Sequence, residues 1–335
     1  MLKALIRRIA QVLAILALLA SSASAGTTIK ILQAVDLPAN LPFWIAVEQG
    51  LFAKRGIDAE LVSDDAPGVA SRITGEVQFG ILGVPAIMNA VSQGRNLKML
   101  FPIYAPRSTQ VLMARRGIHS IADLKGKRLG VFTVGTGFWI QAMLALEHLG
   151  VDIANHGLQF VPVGNLARLF DAMRSGAIDA STFDPGRARQ LELEGYSVLL
   201  DMYPANIMGS QSGFAVIGTL IRDRHQLVAN AVEASIEGAA YSLAAANREV
   251  VLATLARRLR LDSPGAVQAA FTAFRRYVER KPYPSIEAMN NMRRIMALHD
   301  PRVLQLKLED AVDDRFVRQL DQSGRIDEIY EIAGR

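Results

Sequence analysis

Two glycine-containing turns are the features of this sequence whose composition best suits ligand chemistry. Gly135-Thr136-Gly137 follows the apolar, β-branched run Arg128–Val134, and Gly83-Val84-Pro85 follows the similar run Val77–Leu82. A helix-like segment comes next in both cases, so the first backbone N–H groups of that helix have no partner within it. With the helix dipole they form a place for an anion or a polar head group. Pro85 lacks an N–H, which leaves Val84 and Ala86 as the donors of the second turn.

The two tryptophans stand next to predicted helix starts in different halves of the chain. Trp44 follows Phe43 in the first half, and Trp139 follows Phe138 directly after the glycine-flanked threonine. Facing each other, the two indoles would form an apolar sandwich around a ligand body. The alternative is that Thr136 merely caps a helix and that the aromatic side chains fill the core.

Four polar residues are further candidates for the same site. Arg107, in the loop after a predicted strand, is the candidate cation for bidentate pairing with an anion, and a solvated surface arginine is the alternative. Asp184 could accept a hydrogen bond from a ligand, and a helix N-cap before proline explains it equally well. Asn206 and Gln211 lie near a stretch that joins the two halves.

Neither a metal site nor a cofactor site is predicted. No pair of histidines has the i, i+4 spacing, and no acidic residue stands at metal-ligand spacing from any of them. No G-x-S-x-G, Walker loop or dinucleotide fingerprint is present. The five histidines are His119, His148, His156, His225 and His299.

The first 25 residues have the pattern of a secretory leader. Lys3, Arg7 and Arg8 form a positive region, Ile9–Ala20 is apolar, and Ala23-Ser24-Ala25 precedes Gly26 as a small-residue cleavage site. The apolar run is too short for a spanning helix of about 20 residues. The prediction is an exported protein with a signal peptide over residues 1–25.

The composition restricts the expected cellular compartment and the expected binding partners of this protein. The 335 residues are 50% hydrophobic and contain no cysteine, so a large core is possible and a lipid-modified cysteine after the leader is excluded. Without the leader, Lys plus Arg falls from 37 to 34 against 32 Asp plus Glu. This small excess gives no indication of nucleic-acid binding. Free diffusion in a bacterial periplasm is the expected localisation.

Strand-like and helix-like runs alternate through the first two thirds of the chain, and the last third is helix-like. Such alternation is typical of parallel-rich sheets with helices on both faces. An α/β fold is therefore predicted. The predicted strands are Thr28–Ala34, Ile57–Ser63, Val77–Leu82, Leu97–Tyr104, Arg128–Val134, Leu158–Val163, Ala177–Thr182, Ser197–Leu200 and Gly213–Ile217. The predicted helices before residue 220 include Pro42–Ala53, Pro67–Thr74, Pro85–Gln93, Leu166–Ser175 and Pro185–Glu194.

The sequence resembles a known family, the periplasmic solute-binding proteins of ABC importers in the branch that serves sulfonates, taurine and nitrate. The order and spacing of several motifs carry the resemblance, which spans about residues 28 to 215. Relatives usually have Trp where Phe183 stands, and often serine in the glycine-flanked turn. The motifs are Phe43-Trp44-Ile45-Ala46, Glu48-Gln49-Gly50-Leu51-Phe52 with Gly56-Ile57, Phe79-Gly80-Ile81-Leu82-Gly83-Val84-Pro85-Ala86, Ile121-Ala122-Asp123-Leu124-Lys125-Gly126-Lys127, Gly135-Thr136-Gly137 and Phe183-Asp184-Pro185.

The resemblance implies a two-lobed, type II-like binding protein that encloses its ligand at a hinge. Lobe one would comprise residues 27–114 plus 215–335, and lobe two residues 115–214. The crossings would lie near Gln110–Arg115 and Ser212–Ile217. The implied function is capture of a small organic anion, of sulfonate or carboxylate type, by a monomer that delivers it to an inner-membrane ABC permease.

Two other functions remain open on the same scaffold. One is an enzyme similar to a chorismate dehydratase or a thiamine-pyrimidine synthase, against which the leader and the lack of cysteine argue. The other is a ligand-sensing partner of a receptor kinase. Ligand identity also stays open, although the flanking aromatic residues favour an organic body over bare nitrate.

Overall fold

The computed structural model describes residues 26–64, 69–152, 156–209 and 212–334, and it contains two mixed β-sheets flanked by helices. The predicted leader and Gln211 lie outside these residues, as does the start of the predicted helix Pro67–Thr74. Every strand below belongs to one of the two sheets. The strands are β1 Thr27–Gln33, β2 Ile57–Ser63, β3 Phe79–Gly83, β4 Leu97–Pro102, β5 Val111–Ala114, β6 Arg128–Val131, β7 Gln159–Pro162, β8 Ala180–Phe183, β9 Ser197–Asp201 and β10 Ser212–Ile217.

The helices cover both sheets and make up most of the chain after β10. The α-helices are α1 Leu41–Glu48, α2 Val84–Ser92, α3 Gly137–His148, α4 Leu166–Ser175, α5 Pro185–Leu193, α6 Gly218–Asp223, α7 His225–Leu243, α8 Arg248–Leu259, α9 Pro264–Tyr277, α10 Ile286–Met296, α11 Arg315–Gln322 and α12 Arg325–Gly334. Within the described ranges, no helix combines the length and the apolar character that crossing a bilayer requires.

The two sheets have the same topology. The first has the strand order β2-β1-β3-β10-β4 and the second β7-β6-β8-β5-β9. In each, the first three strands pair in parallel and the fourth pairs antiparallel to its neighbours. The predicted α/β fold with parallel-rich sheets is confirmed, and both sheets carry antiparallel pairs as well.

The fourth strand of each sheet is the one that arrives from the other sheet. β5 follows the last strand of the first sheet and pairs with β8 and β9, whereas β10 follows β9 and pairs with β3 and β4. The chain thus leaves the first sheet before residue 111, earlier than the predicted boundary after residue 114, and returns to it at residue 212. The boundary differs because the apolar run of β5 completes the second sheet rather than the first.

The two crossing segments, residues 103–110 and 202–209, run antiparallel beside each other. Backbone N–H groups of Ser108, Gly209 and Met202 donate across the pair to the carbonyls of Ile207, Pro106 and Gln110, at 2.8, 2.9 and 3.0 Å. We call this pair the crossing ribbon. Because it forms both covalent links between the sheets, it sets how their strand ends face each other.

Two predicted elements end earlier than expected for local reasons. The helix predicted over Pro42–Ala53 ends at Glu48, because Gly50 takes φ +66° and starts a turn. The strand predicted over Arg128–Val134 ends at Val131, because residues 132–136 form the turn that leads into α3. By contrast, β2 and α4 have the predicted bounds.

Helix α1 is buried between the first sheet and α7, which requires a very close approach of the two helices. Six of its eight residues are buried, so it presents apolar side chains on all sides rather than one stripe. Gly238 of α7 lies against the backbone of Pro42, and a Cβ at this position would come within 3.0 Å of that carbonyl oxygen. Glycine is needed here because it lets the two helices approach closely, not because of its backbone φ angle.

We expect Gly238→Ala to destabilise the protein by about 1–3 kcal/mol through overpacking, although alanine is the better helix former by about 1 kcal/mol. The two nearest atoms that the new Cβ would meet are the carbonyl oxygen and carbon of Pro42, which belong to the backbone and cannot rotate away. Gly265→Ala in α9 is the control, because its Cβ would meet only the Leu193 side chain at 3.7 Å. Urea unfolding of both variants measures the difference, and equal stability of the two would contradict this close packing.

An ion pair ties the second sheet together at the ends of β6 and β8 that lie away from the strand carboxyl ends. The Asp179 side chain is 7% exposed and accepts from Arg128 through both backbone N–H and guanidinium, with the backbone N–H and Nε each at 2.9 Å. Arg115 adds a contact at 3.4 Å. The hydrogen bond from the Arg128 side chain, against the opposing effect of burial, lowers the pKa of Asp179 below its usual value.

A pKa that is lower in the folded than in the unfolded state stabilises the fold at neutral pH, and this gain is lost as pH falls through the folded pKa. Asp179→Asn should therefore reduce stability at pH 7 by about 1.5–3 kcal/mol. The difference in stability between Asp179→Asn and the wild type should narrow as pH falls below about 4. Asp223→Asn, which breaks an exposed pair with the neighbouring Arg222, is the control and should leave the melting temperature unchanged. A gap that stays constant with pH would exclude this ionic role for Asp179.

Candidate functional site

A cavity of about 240 Å³ lies between the two sheets, at the carboxyl ends of their parallel strands. This is where open α/β sheets place ligands, because the connections of neighbouring strands diverge there. The first sheet and its loops contribute Ala34, Val35, Leu37, Asn40, Val69, Ala70, Ser71, Ile81, Gly83, Pro85, Ala86, Asn89, Ala90, Gln93, Arg95 and Ser212. The second sheet contributes Phe132, Thr133, Gly135, Thr136, Gly137, Phe138, Gln141 and Gly164.

The N-termini of α2 and α3 reach this cavity from opposite sheets. Neither helix has a side-chain cap, so its first N–H groups are not satisfied by an N-cap side chain. The Thr136 hydroxyl donates instead to the Thr133 carbonyl at 2.7 Å, which closes the turn before α3. Each helix end adds about half a positive charge.

Two phenyl rings form one wall of the cavity. Phe132 follows β6 and Phe138 lies in the first turn of α3, and their rings stack with centroids 3.9 Å apart and 19° between planes. Both side chains are half-buried. The stacked pair therefore presents aromatic surface to whatever occupies the cavity.

One uncharged polar side chain that lines the cavity, and two buried ones outside its described lining, were not among the residues predicted for the site. Gln141 lines the cavity, is 3% exposed, and accepts from the Ser108 hydroxyl at 2.6 Å. Gln110 is fully buried, and among the described residues neither amide atom has a partner; the same holds for the Thr182 hydroxyl. The available signal was the polar run Ser108-Thr109-Gln110 directly before the apolar strand β5.

The described lining contains no Asp, Glu, His, Cys, Lys or Tyr. Arg95 is its one charged residue, and it is exposed at the margin. Within the described part of the chain, no three His, Cys, Asp or Glu side chains come together as metal ligands would. Positive potential inside the cavity therefore comes from backbone dipoles.

Six residues predicted for the site line the cavity: Gly83, Pro85, Gly135, Thr136, Gly137 and Phe138. Val84 is fully buried beside them and contributes at most its backbone N–H. Phe43 is also fully buried, in an aromatic cluster with Phe101 and Phe214. Its place in the first turn of an all-buried helix explains why it faces the core.

The two indoles do not face each other across the cavity, which corrects the predicted sandwich. Trp44 is fully buried, and its Nε1 donates to Gln33 Oε1 at 2.6 Å. Trp139 is 5% exposed and packs against the rings of Phe160 and His299. The two indoles belong to different hydrophobic clusters. Each is buried because the helix that carries it is apolar around most of its circumference.

Arg107 and Asp184 also lie outside the described cavity lining. Arg107 is exposed on the crossing ribbon, with its guanidinium 5.6 Å from the centre of the Tyr203 ring. Asp184 is buried, caps α5 through the N–H groups of residues 186 and 187, and pairs with Arg187 at 2.8 Å. Asp184 is therefore the N-cap of α5, which was the alternative interpretation of this residue.

Burial, and next the charge of Asp184, raise the pKa of Tyr104 well above its usual value.

The helices after β10 contact both sides of the cavity. The His299 ring lies against Gly135, so closely that a Cβ there would come within 3.0 Å of it. Arg294 of α10 pairs with Glu147 of α3 at 2.7 Å. Helix α9 packs on α5, where Gly186 allows Ala270 to approach. The helical last third therefore holds the second sheet as well as the first.

A protein-family model matches more than half of this chain. Residues 38–248 match the family model described as NMT1/THI5 like. The chain belongs to the NMT1/THI5-like family. No match was found among curated proteins.

Solved structures share the fold at low sequence identity. The alkanesulfonate-binding protein SsuA from Xanthomonas axonopodis pv. citri, bound to MOPS, has 18% identity and a TM-score of 0.67, with 85% of this chain and 96% of that chain covered. The periplasmic nitrate-binding protein NrtA from Synechocystis PCC 6803 has 13% identity and a TM-score of 0.68, with 92% of each chain covered. These likenesses confirm the two-lobed binding-protein fold that the resemblance implied.

The same fold also occurs in an enzyme. The desulfurization enzyme DSZB matches with 17% identity and a TM-score of 0.61, covering 89% of this chain and 99% of that chain. Since one scaffold supports both binding and catalysis, function has to be argued from the site.

We expect Gly135→Ala to destabilise the protein by about 1–2 kcal/mol through its left-handed backbone, and further by displacing His299. Gly94→Ala is the matched control, because Gly94 has the same φ of +84° with nothing within 4 Å of its Cβ. Measured against the single variant His299→Ala, the cost of adding Gly135→Ala should fall to that of the control. Thermal unfolding measures all four variants, and a cost above that of the control that persists without the imidazole would show that His299 does not abut this turn.

Proposed function

We propose that this protein is the periplasmic substrate-binding component of an ABC importer and that it captures a small organic anion between two lobes. The lobes are the two sheets with their helices, joined at the crossing ribbon, and hinge closure encloses the ligand. The export leader, the family and the fold of SsuA and NrtA support this role. A closed monomer would then deliver the ligand to a permease in the inner membrane.

The observation that carries the proposal is a cavity between the sheets that offers two helix N-termini and has no acid–base side chain in its described lining. Backbone N–H groups bind an anion without transferring protons to it. The described lining offers hydroxyls and amides, yet no His, Cys or carboxylate to activate a nucleophile or move a proton. Such a lining suits reversible capture.

An enzyme on this scaffold is the second candidate, and the likeness to the desulfurization enzyme favours it. Ser71, Thr133, Thr136 and Ser212 are the hydroxyls in the described lining. Without a neighbouring base, a hydroxyl remains a weak nucleophile at neutral pH. The binding role is therefore the better supported of the two.

A melting screen of the purified protein against small sulfonates and carboxylates tests the proposal. A ligand that binds the native state at 100 times its Kd should stabilise the protein by about 2.7 kcal/mol and raise the melting temperature accordingly. Tryptophan fluorescence should change too, because Trp139 lies in the first turns of α3 next to Phe138. Trp139→Phe should abolish most of that change, while Trp44→Phe should keep it.

Product analysis by NMR distinguishes the two candidates. A receptor should bind one equivalent of ligand and release it unchanged after hours with excess compound. Conversion of a compound that raises the melting temperature would instead establish the enzyme. If no anion in the screen shifts either signal, the role in anion capture is refuted.

A further inference from the structure

The cavity's size, walls and charge together restrict the ligand more narrowly than the fold does. The volume of about 240 Å³ exceeds the roughly 150 Å³ that accommodates benzene in an apolar protein cavity. It therefore has room for one ring with a small substituent. This argument rests on the proposed binding function and concerns the same cavity.

The walls favour a flat apolar body. Ala, Val, Leu, Ile and Pro side chains from the first sheet face the stacked Phe132 and Phe138 of the second. A planar ring can stack on an exposed phenyl face and bury its other face against aliphatic groups. A ligand without a ring, such as a bare oxyanion, would leave this apolar surface unfilled.

The charge balance favours a single negative charge. The N-termini of α2 and α3 contribute about half a positive charge each, and the described lining has no interior cation. One carboxylate or sulfonate would match this potential. A second charge would be buried without a partner, which is costly.

A neutral hydrogen-bonding group completes the interior end. Gln141 lines the cavity and bonds to Ser108, and Gln110 lies two residues further along the ribbon with both amide atoms unpartnered. Thr182 pairs in register with Leu112, so alternation places its side chain on the same face as Gln110. Gln110 and Thr182 lie outside the described lining, so of these three side chains only Gln141 can contact the ligand, and it adds no charge.

We propose that the ligand is an aromatic monoanion of one ring, with its carboxylate or sulfonate between the N-termini of α2 and α3 and its ring against Phe132 and Phe138. The cavity should therefore bind such a ligand more tightly than aliphatic sulfonates, inorganic oxyanions, dianions or cations.

Calorimetric titration with a matched set of compounds tests the class. Benzoate should bind about 3- to 10-fold more tightly than cyclohexanecarboxylate, which has the same charge and similar size but no π-face. It should bind about 100-fold more tightly than methanesulfonate, which lacks the ring. Phthalate, with a second charge, should bind at least about 10-fold more weakly than benzoate. Nitrate should show no binding at millimolar concentration.

Phe138→Leu gives a test that isolates the ring wall. It should weaken benzoate binding about 3- to 10-fold and leave cyclohexanecarboxylate within twofold, because leucine keeps the apolar surface but not the π-face. Phe170→Leu is the control, since Phe170 is half-buried against Phe183 outside the described lining, and it should change neither affinity. If Phe138→Leu unfolds the protein, Phe132→Leu takes its place.

The outcomes separate the ligand class from the function itself. Equal or tighter binding of methanesulfonate or nitrate, released unchanged, would overturn the aromatic class and leave the receptor intact. Conversion of benzoate or benzenesulfonate would overturn the receptor and leave the aromatic class standing. No heat with benzoate and benzenesulfonate would also overturn the class.

Discussion

The crossing ribbon is the constraint on which the rest of this structure depends. Each sheet receives its fourth strand from the other side of the ribbon, so neither sheet is complete without the crossing. Antiparallel hydrogen bonds between residues 103–110 and 202–209 fix the two links against each other. As a result the carboxyl ends of both sets of parallel strands face one shared cavity. The helix N-termini that follow those strands must then converge there.

In the proposed function, this convergence lets the cavity attract an anion with few charged side chains in its described lining. Two helix ends, each without a side-chain cap, would take the place of an interior arginine or lysine. Backbone dipoles are fixed in direction by the helices and need no reorganisation when a ligand arrives. An ammonium or guanidinium in the same place would bring its own desolvation cost. The apolar wall can therefore come close to the anion site.

The last third of the chain acts as a support for both sheets. Helix α9 packs on α5, and α10 with His299 contacts α3 and the turn at Gly135. These helices contact elements of both lobes, so a hinge opening of the proposed kind would have to break or slide such contacts. The exposed Arg294–Glu147 pair is worth little by itself.

The sequence by itself determined the elements and the amide-rich turns of this protein. Strong apolar periodicity predicted β2 and α4 with their observed bounds, and proline and glycine positions marked the starts of α2, α3 and α5. Both glycine-containing turns line the cavity because their position, between a strand and a helix, is local chemistry that any parallel sheet places at the same edge. The order and spacing of the motifs also indicated the fold.

Only the tertiary structure decided which side chains face the cavity. Helices α1 and α3 are apolar almost all round, so their periodicity cannot say which face points to the core, and both tryptophans went inward. For Asp184 and Arg107 the sequence offered two alternatives each, and the structure selected the N-cap and the exposed surface cation. Gln141 lines the cavity because of the orientation of α3, which its apolar pattern does not specify. Pairing register and helix orientation are set by long-range packing, and local sequence pattern carries neither.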